Sequence, residues 1–252
     1  MDQRQTSIIA YKALGETPLE ALERVRIEKG ISKDLPMTYA GRLDPLAEGL
    51  LILLVGEECK KKEAYLGLDK VYETEVLFGV ETDTHDLLGR LANRESRIQN
   101  LEFRINKKEI QEKLQKYKGK FVQEYPMYSS KTVDGKPLFM YAREGEEVEV
   151  PKREVEVFSI DVLEEKEIGA EELLKKVEEK ISLVKGDFRQ EETLRLWRES
   201  LQDSNNQFQI VKFKIHCGSG FYVRQFAMSL GNDLGCGALA FSIKRTKIGN
   251  FS

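Results

Sequence analysis

Three stretches of this chain alternate apolar and polar side chains over strand length: residues 70–78, 153–163 and 208–217. In the first, Tyr72, Thr74, Val76 and Phe78 share one face, which a period of two imposes on a strand with one packed side. Such runs commit much of the chain to sheet. Residues 7–11 read as a further short strand, and the run LLILLV at residues 50–55 as a buried one.

Helical signals lie between the strands. Thr17, Pro18 and Glu20 supply a cap, a first-turn proline and a box glutamate, and Leu19, Leu22 and Val25 then recur on one face. Residues 57–66 read as helix. Asn106 with Glu109 opens a basic helix to about residue 118, and a short helix over 139–143 follows the Asp134-Gly135 turn. Residues 164–206 have a different texture, dense in charge, with Leu173, Leu174, Val177 and Ile181 and then Leu194, Trp197 and Leu201 at helical spacing. This segment reads as a helical hairpin inserted between paired strands. Residues 222–234 form a last helix whose buried stripe is Val223, Phe226, Ala227 and Leu230, with Arg224 on another face.

At 252 residues the chain is long enough for one large domain with a core that needs no staples. No apolar run approaches the roughly 20 residues that span a bilayer, and the first residues lack a secretory h-region, so a cytoplasmic protein without membrane contact is expected. Cys59, Cys217 and Cys236 include no close pair, and with only His85 and His216 beside them neither a disulfide framework nor a metal site is expected. A net charge of -3 argues against a general polyanion binder but permits a local basic groove.

Chemistry concentrates in three places. In TYAGRLDPLAEGLL, residues 38–51, Asp44 precedes a proline that forces it into an extended conformation at the lip of the buried strand. An aspartate held there is placed to act as nucleophile or base, and equally to cap a turn. In HCGSGFYVRQFAMSLG, residues 216–231, a glycine turn leads into a helix whose first turn carries Arg224. A guanidinium there can grip a carboxylate in bidentate fashion and keep it ionised, or face solvent. Residues 69–89 join the alternating strand to the acidic loop TDTHD, which resembles a metal loop but lacks the later glutamate of a calcium site.

Taken together these segments resemble the TruB branch of the pseudouridine synthases. GRLDPLAEGLL matches the catalytic motif of that family, DKVYETEVLFGVETDTHDLLG its tyrosine strand, and YSSKTVDGKPLFMYAREG its later tyrosine-lysine segment. CGSGFYVRQFAMSLG matches its arginine motif and SIKRTKIGNF its closing strand. The resemblance runs from about Ile8 to Phe251 and implies an α+β pseudouridine synthase fold: a long, mixed, mainly antiparallel sheet with flanking helices and a central RNA-binding cleft.

By the same matching, Asp44 corresponds to the catalytic aspartate, Tyr72 to the tyrosine that stacks on the target base, and Arg224 to the arginine that pairs with the aspartate. Ile243 resembles the apolar wall of the pocket, and Lys12 the lysine of the N-terminal motif, with Ala13 and Thr17 in place of that motif's proline and serine. The implied activity is isomerisation of a flipped-out uridine to pseudouridine without cofactor or metal, with RNA as partner and the T-loop uridine of tRNA as target.

The chain departs from the pattern in three ways. Tyr39 and Ala40 stand where bacterial members have histidine and threonine, so Tyr39 is expected to touch the flipped-out RNA. The chain stops at Ser252 right after the last catalytic strand, so residues 1–252 are expected to form a single catalytic domain without the C-terminal PUA domain. The hairpin carries 12 acidic against 8 basic side chains over residues 164–203, the wrong sign for a phosphate grip, which points to a structural or protein-contact role. Lys60, Lys61, Lys244 and Arg245 are the candidates for the RNA backbone, with Lys62, Lys247 and the basic helix at 107–120 beside them. Two rivals stay open: a non-catalytic RNA-binding protein on the same scaffold, and a synthase acting on another RNA.

Overall fold

The computed structural model describes residues 5–91, 105–202 and 204–252. Asp203, at the edge of the expected hairpin, lies outside them. Strand β1 (Gln5–Lys12) leads to helix α1 (Pro18–Glu28), whose Thr17–Glu20 capping box is closed in both directions. Its inward face is Ala21, Leu22 and Val25, packed on Ala10, Leu51 and Leu53. Leu19, expected on that face, is 59% exposed, because its direction falls outside the narrow contact of one short helix with the sheet edge.

Next come β2 (Met37–Ala40), β3 (Ala47–Gly56), a tight turn, α2 (Lys62–Leu66) and β4 (Lys70–Phe78). Residues 51–55 of β3 are fully buried on both faces: Leu51 and Leu53 against α1, Ile52 and Leu54 against Tyr65, Leu66, Leu68 and Ile248. Double coverage is why this strand reads as a continuous apolar run. The capping box of Asn106 and Glu109 opens α3 (Lys107–Leu114), followed by β5 (Gly119–Glu124). The small hairpin β6 (Thr132–Val133) and β7 (Lys136–Pro137) turns through Asp134 and Gly135, both at positive φ, and leads into α4 (Leu138–Glu144).

Strand β8 (Lys152–Gly169) is long and bulged, with register shifts between Val157 and Ser159 and between Val162 and Glu164. The first shift turns Phe158 outward, half exposed, and returns Ile160 to the face already used by Val155 and Val157. Helices α5 (Ala170–Ser182) and α6 (Gln190–Leu201) pack on each other and precede β9 (Gln207–Cys217), α7 (Val223–Asp233) and β10 (Ala238–Ile248). Residues 164–169, expected within the hairpin, instead continue β8 and pair with β9 as far as Gly169 and Gln207. Beyond residue 157 that strand has only β9 as neighbour, so its charged side chains stand in solvent and mask the strand pattern.

Apart from the β6–β7 hairpin, the strands form one sheet in the order β1-β3-β10-β4-β9-β8-β5, with β2 also paired to β3. Every pairing is antiparallel except β10 with β3, which run parallel from Ile243 against Ala47 to Arg245 against Gly49. Helices α7 and α3 cover one face of the central strands, where Phe226 meets Tyr117 and Phe213 edge-on at 5.2 and 5.8 Å. Each fully buried phenylalanine there contributes about 1.5 to 3 kcal/mol. Helices α5 and α6 cover the opposite face through Trp197, Leu173 and Val177. Neighbouring Ile210 and Val211 of β9 are therefore both buried, one in each layer.

Candidate active site

The loop between β2 and β3 carries Asp44. Its carbonyls are held from beneath by two buried cations. Lys12 Nζ donates to the oxygens of Ala47 at 2.5 Å, Ala13 at 3.0 Å and Pro45 at 3.4 Å. Arg245 donates from Nε to Leu50 O at 2.8 Å and from its two Nη atoms to Arg42 O and Gly41 O at 3.3 and 3.2 Å. Gly49 admits this arrangement: it sits at φ 116°, and a Cβ there would come within 2.2 Å of the Arg245 carbonyl. Buried backbone oxygens need donors, and long cationic side chains from β1 and β10 supply them.

Two of the candidate contact residues are thereby turned inward. Lys12 is fully buried with its ammonium on backbone oxygens. Arg245 is 1% exposed at the floor of the cleft, with its guanidinium on backbone carbonyls.

Arg224 enters from the second residue of α7, and is 3% exposed. The helix start is braced by Gln123, which accepts from Tyr222 N at 2.8 Å and donates to Tyr222 O at 3.1 Å. The guanidinium Nε donates to Asp44 Oδ2 at 2.7 Å, Nη1 to Thr84 O at 2.5 Å and Nη2 to Tyr128 O at 3.2 Å. The pair with Asp44 is thus single, not the bidentate fork that an arginine and a carboxylate allow, because both Nη atoms are committed to backbone. Behind Arg224 lies a second carboxylate, Asp86, 3.6 Å from Nε. It accepts from Thr84 Oγ1 at 2.6 Å and Leu88 N at 3.0 Å, and burial raises its pKa against the pull of Arg224. Burial alone would lower the pKa of Arg224, but Asp44 and Asp86 on two sides leave it raised.

Asp44 itself is 42% exposed toward a cleft of about 550 Å³. Tyr72, Ile243, Ala47 and Phe221 form an apolar part of its lining, and Tyr39 stands at its edge with Lys62 Nζ 5.7 Å from the ring centroid. Six basic side chains line the cleft, Arg42, Lys62, Lys70, Arg153, Arg224 and Arg245, against the acidic Asp44 and Glu63. Of these, Lys70 is buried on the carbonyls of Leu66 and Leu68, and burial lowers its pKa to about 8. Arg42 is exposed and Lys62 and Arg153 partly so. Arg153 lies on Gly220, where a Cβ would fall 1.9 Å from its Cζ, and its buried Nε has no hydrogen-bond partner.

Lys60 and Lys61 instead pair with Glu57 and Glu58 outside the cleft, and Lys244 lies over the Tyr11 ring. Of the three cleft cations that are open to solvent, the sequence marked only Lys62; nothing in the residue pattern singles out Arg42 or Arg153. The acidic loop at 82–86 was visible, but its use was not. Asp83 and Asp86 serve arginines, and among the described residues no group of three His, Cys, Asp or Glu side chains gathers as a metal site.

Known proteins resemble this arrangement at several levels. A family model described as TruB family pseudouridylate synthase, N terminal domain, matches residues 29–186. The tRNA pseudouridine synthase B of Clostridium kluyveri is 27% identical over 241 residues, which cover 96% of this chain and 66% of that protein. That of Bordetella avium is 30% identical, covering 97% and 81%. The chain thus spans just under two thirds of the Clostridium relative. Among solved structures, a Cbf5-Nop10-Gar1 complex superposes with a TM-score of 0.60 at 18% identity, over 99% of this chain and 50% of that one. An H/ACA RNP bound to a substrate RNA containing 2′-deoxyuridine gives 0.56 at 16%, over 99% and 49%. At such identity the likeness is one of fold.

Proposed function

Because the chain belongs to the TruB family of pseudouridylate synthases, we propose that it converts a uridine of RNA to pseudouridine in the cleft that holds Asp44. The observation that carries this reading is the Asp44–Arg224 pair, a carboxylate half open to the cleft joined at 2.7 Å to a guanidinium sealed in the core. The reaction breaks the bond from ribose C1′ to uracil N1 and makes one from C1′ to C5. The C5 proton leaves and N1 gains one, so the exchange balances without a cofactor.

Asp44 meets the ribose as nucleophile or base, and Arg224 orients it. The base must leave its stack at a cost of a few kcal/mol, which Tyr72 offsets by about 1 to 3 kcal/mol of stacking against the wall shared with Ile243. Tyr39 lies where it can meet the displaced strand. Arg42, Lys62 and Arg153 are the cations placed for phosphates. The relatives' names point to tRNA, and we assign the T-loop uridine as the target, with the protein working in the cytoplasm.

The test compares wild type with Asp44→Asn on a tRNA transcript with an intact T-loop, using site-resolved pseudouridine detection. Product at the T-loop uridine in wild type, and none above background in the variant, is expected. Asp44-dependent product only in other RNAs would move the target. No product in any RNA from soluble, folded protein would sink the synthase reading.

A further inference from the structure

Arg189, at the entry to α6, adopts a left-handed backbone conformation, φ 61°, that non-glycine residues rarely take. Its guanidinium forks onto Asp83, Nη1 to Oδ2 at 3.0 Å and Nη2 to Oδ1 at 3.3 Å. The same group lies over the ring of Tyr128, Cζ 4.7 Å from the centroid, and Tyr128 donates its hydroxyl to Asp83 Oδ2 at 3.0 Å. The triangle is closed and only partly exposed.

Both segments tied together by this triangle end on Arg224. The carbonyl of Tyr128 accepts Arg224 Nη2, and the carbonyl of Thr84, next to Asp83, accepts Nη1. Helix α6 grips the same loop twice more. Thr193 Oγ1 donates to Leu88 O at 3.2 Å, and Trp197 Nε1 to Leu87 O at 3.3 Å, both buried. A backbone outlier held by a fork, a ring and a hydroxyl is strain kept in place by its surroundings, a pattern that gathers at functional sites.

We infer that Arg189 is a positioning residue for Arg224, and that α5 and α6 are the outer support of the active site. A planar guanidinium takes its orientation from the acceptors it meets. Two of the three that Arg224 meets are carbonyls of segments cross-linked by Arg189. Loosening them shifts Nε against Asp44, and since Arg189 does not line the cleft, the loss falls on the rate and not on RNA binding.

The kinetic arm of the test rests on the synthase reading; a second arm does not. Arg189→Ala, Arg189→Lys and a control, Arg195→Ala, are compared in the full chain. Arg195 lies on the same helix, is exposed, and among the described residues is paired with exposed Glu199. Measured are the single-turnover rate and the dissociation constant on the tRNA transcript, and solvent exchange of the Arg224 Nε–H by heteronuclear NMR. Arg189→Ala is expected to lose about ten- to hundredfold in rate at unchanged RNA affinity, with faster Nε–H exchange. Lysine should recover part of the loss, since it returns the charge without the fork, and the control should match wild type. Unchanged rate and exchange in Arg189→Ala would overturn the inference, as would weaker RNA binding at an unchanged rate. Were wild type to make no pseudouridine, faster exchange in Arg189→Ala would still support the positioning role, and unchanged exchange would overturn it.

Discussion

Lys12 shows how a residue's chemistry is decided by what surrounds it. Burial lowers its pKa to about 8. Below that pH the folded and unfolded chains both carry the charge and the desolvation cost is fully present; from about 8 to 10.5 the folded state sheds its proton first and the cost is relieved. The cost is borne because Pro45 and Ala47 need a donor beside Asp44. Lys12→Met is accordingly expected to reduce the single-turnover rate by about ten- to hundredfold while leaving RNA affinity unchanged. A rise in the dissociation constant alone would return Lys12 to the substrate. Residue types near Asp44 and Arg224 were readable because short motifs keep them close in sequence to glycine and proline turns. Asp86 behind Arg224 was not, since its carboxylate is defined by a partner 138 positions away.

At the scale of elements, the glycine turn before α7 and the start of β8 meet where Gly220 makes room for the guanidinium of Arg153. That contact turns two otherwise separate elements into one rim of the cleft. Arg153→Ala is expected to weaken RNA binding across sequences and to reduce the slope of log affinity against log salt by about 0.7 to 0.9, the signature of one lost phosphate contact. An unchanged slope would remove Arg153 from the interface. The strands β4 and β9 and both capping boxes could be read from local pattern, because periodicity and caps are properties of neighbouring residues. The end of β8 could not, since an edge segment in solvent keeps no apolar alternation.

For the molecule as a whole, net charge and local charge part company: the chain is -3 overall while its cleft holds six basic and two acidic side chains. One contribution to its acid stability sits near the same site. Burial, and then Arg224, lower the pKa of His85 from 6.5 to about 4. A depressed histidine favours the folded state above pH 6.5, and this stabilisation is lost as pH falls from about 6.5 to about 4, a swing on the order of 3 kcal/mol. Asp86, raised by burial, works in the opposite direction: its cost to the folded state is relieved as pH falls through its raised pKa toward 3.8. Denaturant melts at pH 7 and 4.5 should therefore show a smaller acid loss for His85→Asn, asparagine being suited to the positive φ of this position. An equal loss in both proteins would place the acid sensitivity elsewhere. By itself the sequence determined most of the strands and helices and the motifs of the family, because these rest on short-range period and on residues adjacent in the chain. Only the tertiary structure decided that Lys12 and Arg245 face inward, that Asp86 stands behind Arg224, and that Arg189 reaches the site from the far helices. Those contacts depend on which distant strands become neighbours, and a sheet in the order β1-β3-β10-β4-β9-β8-β5 brings together segments that no local pattern connects.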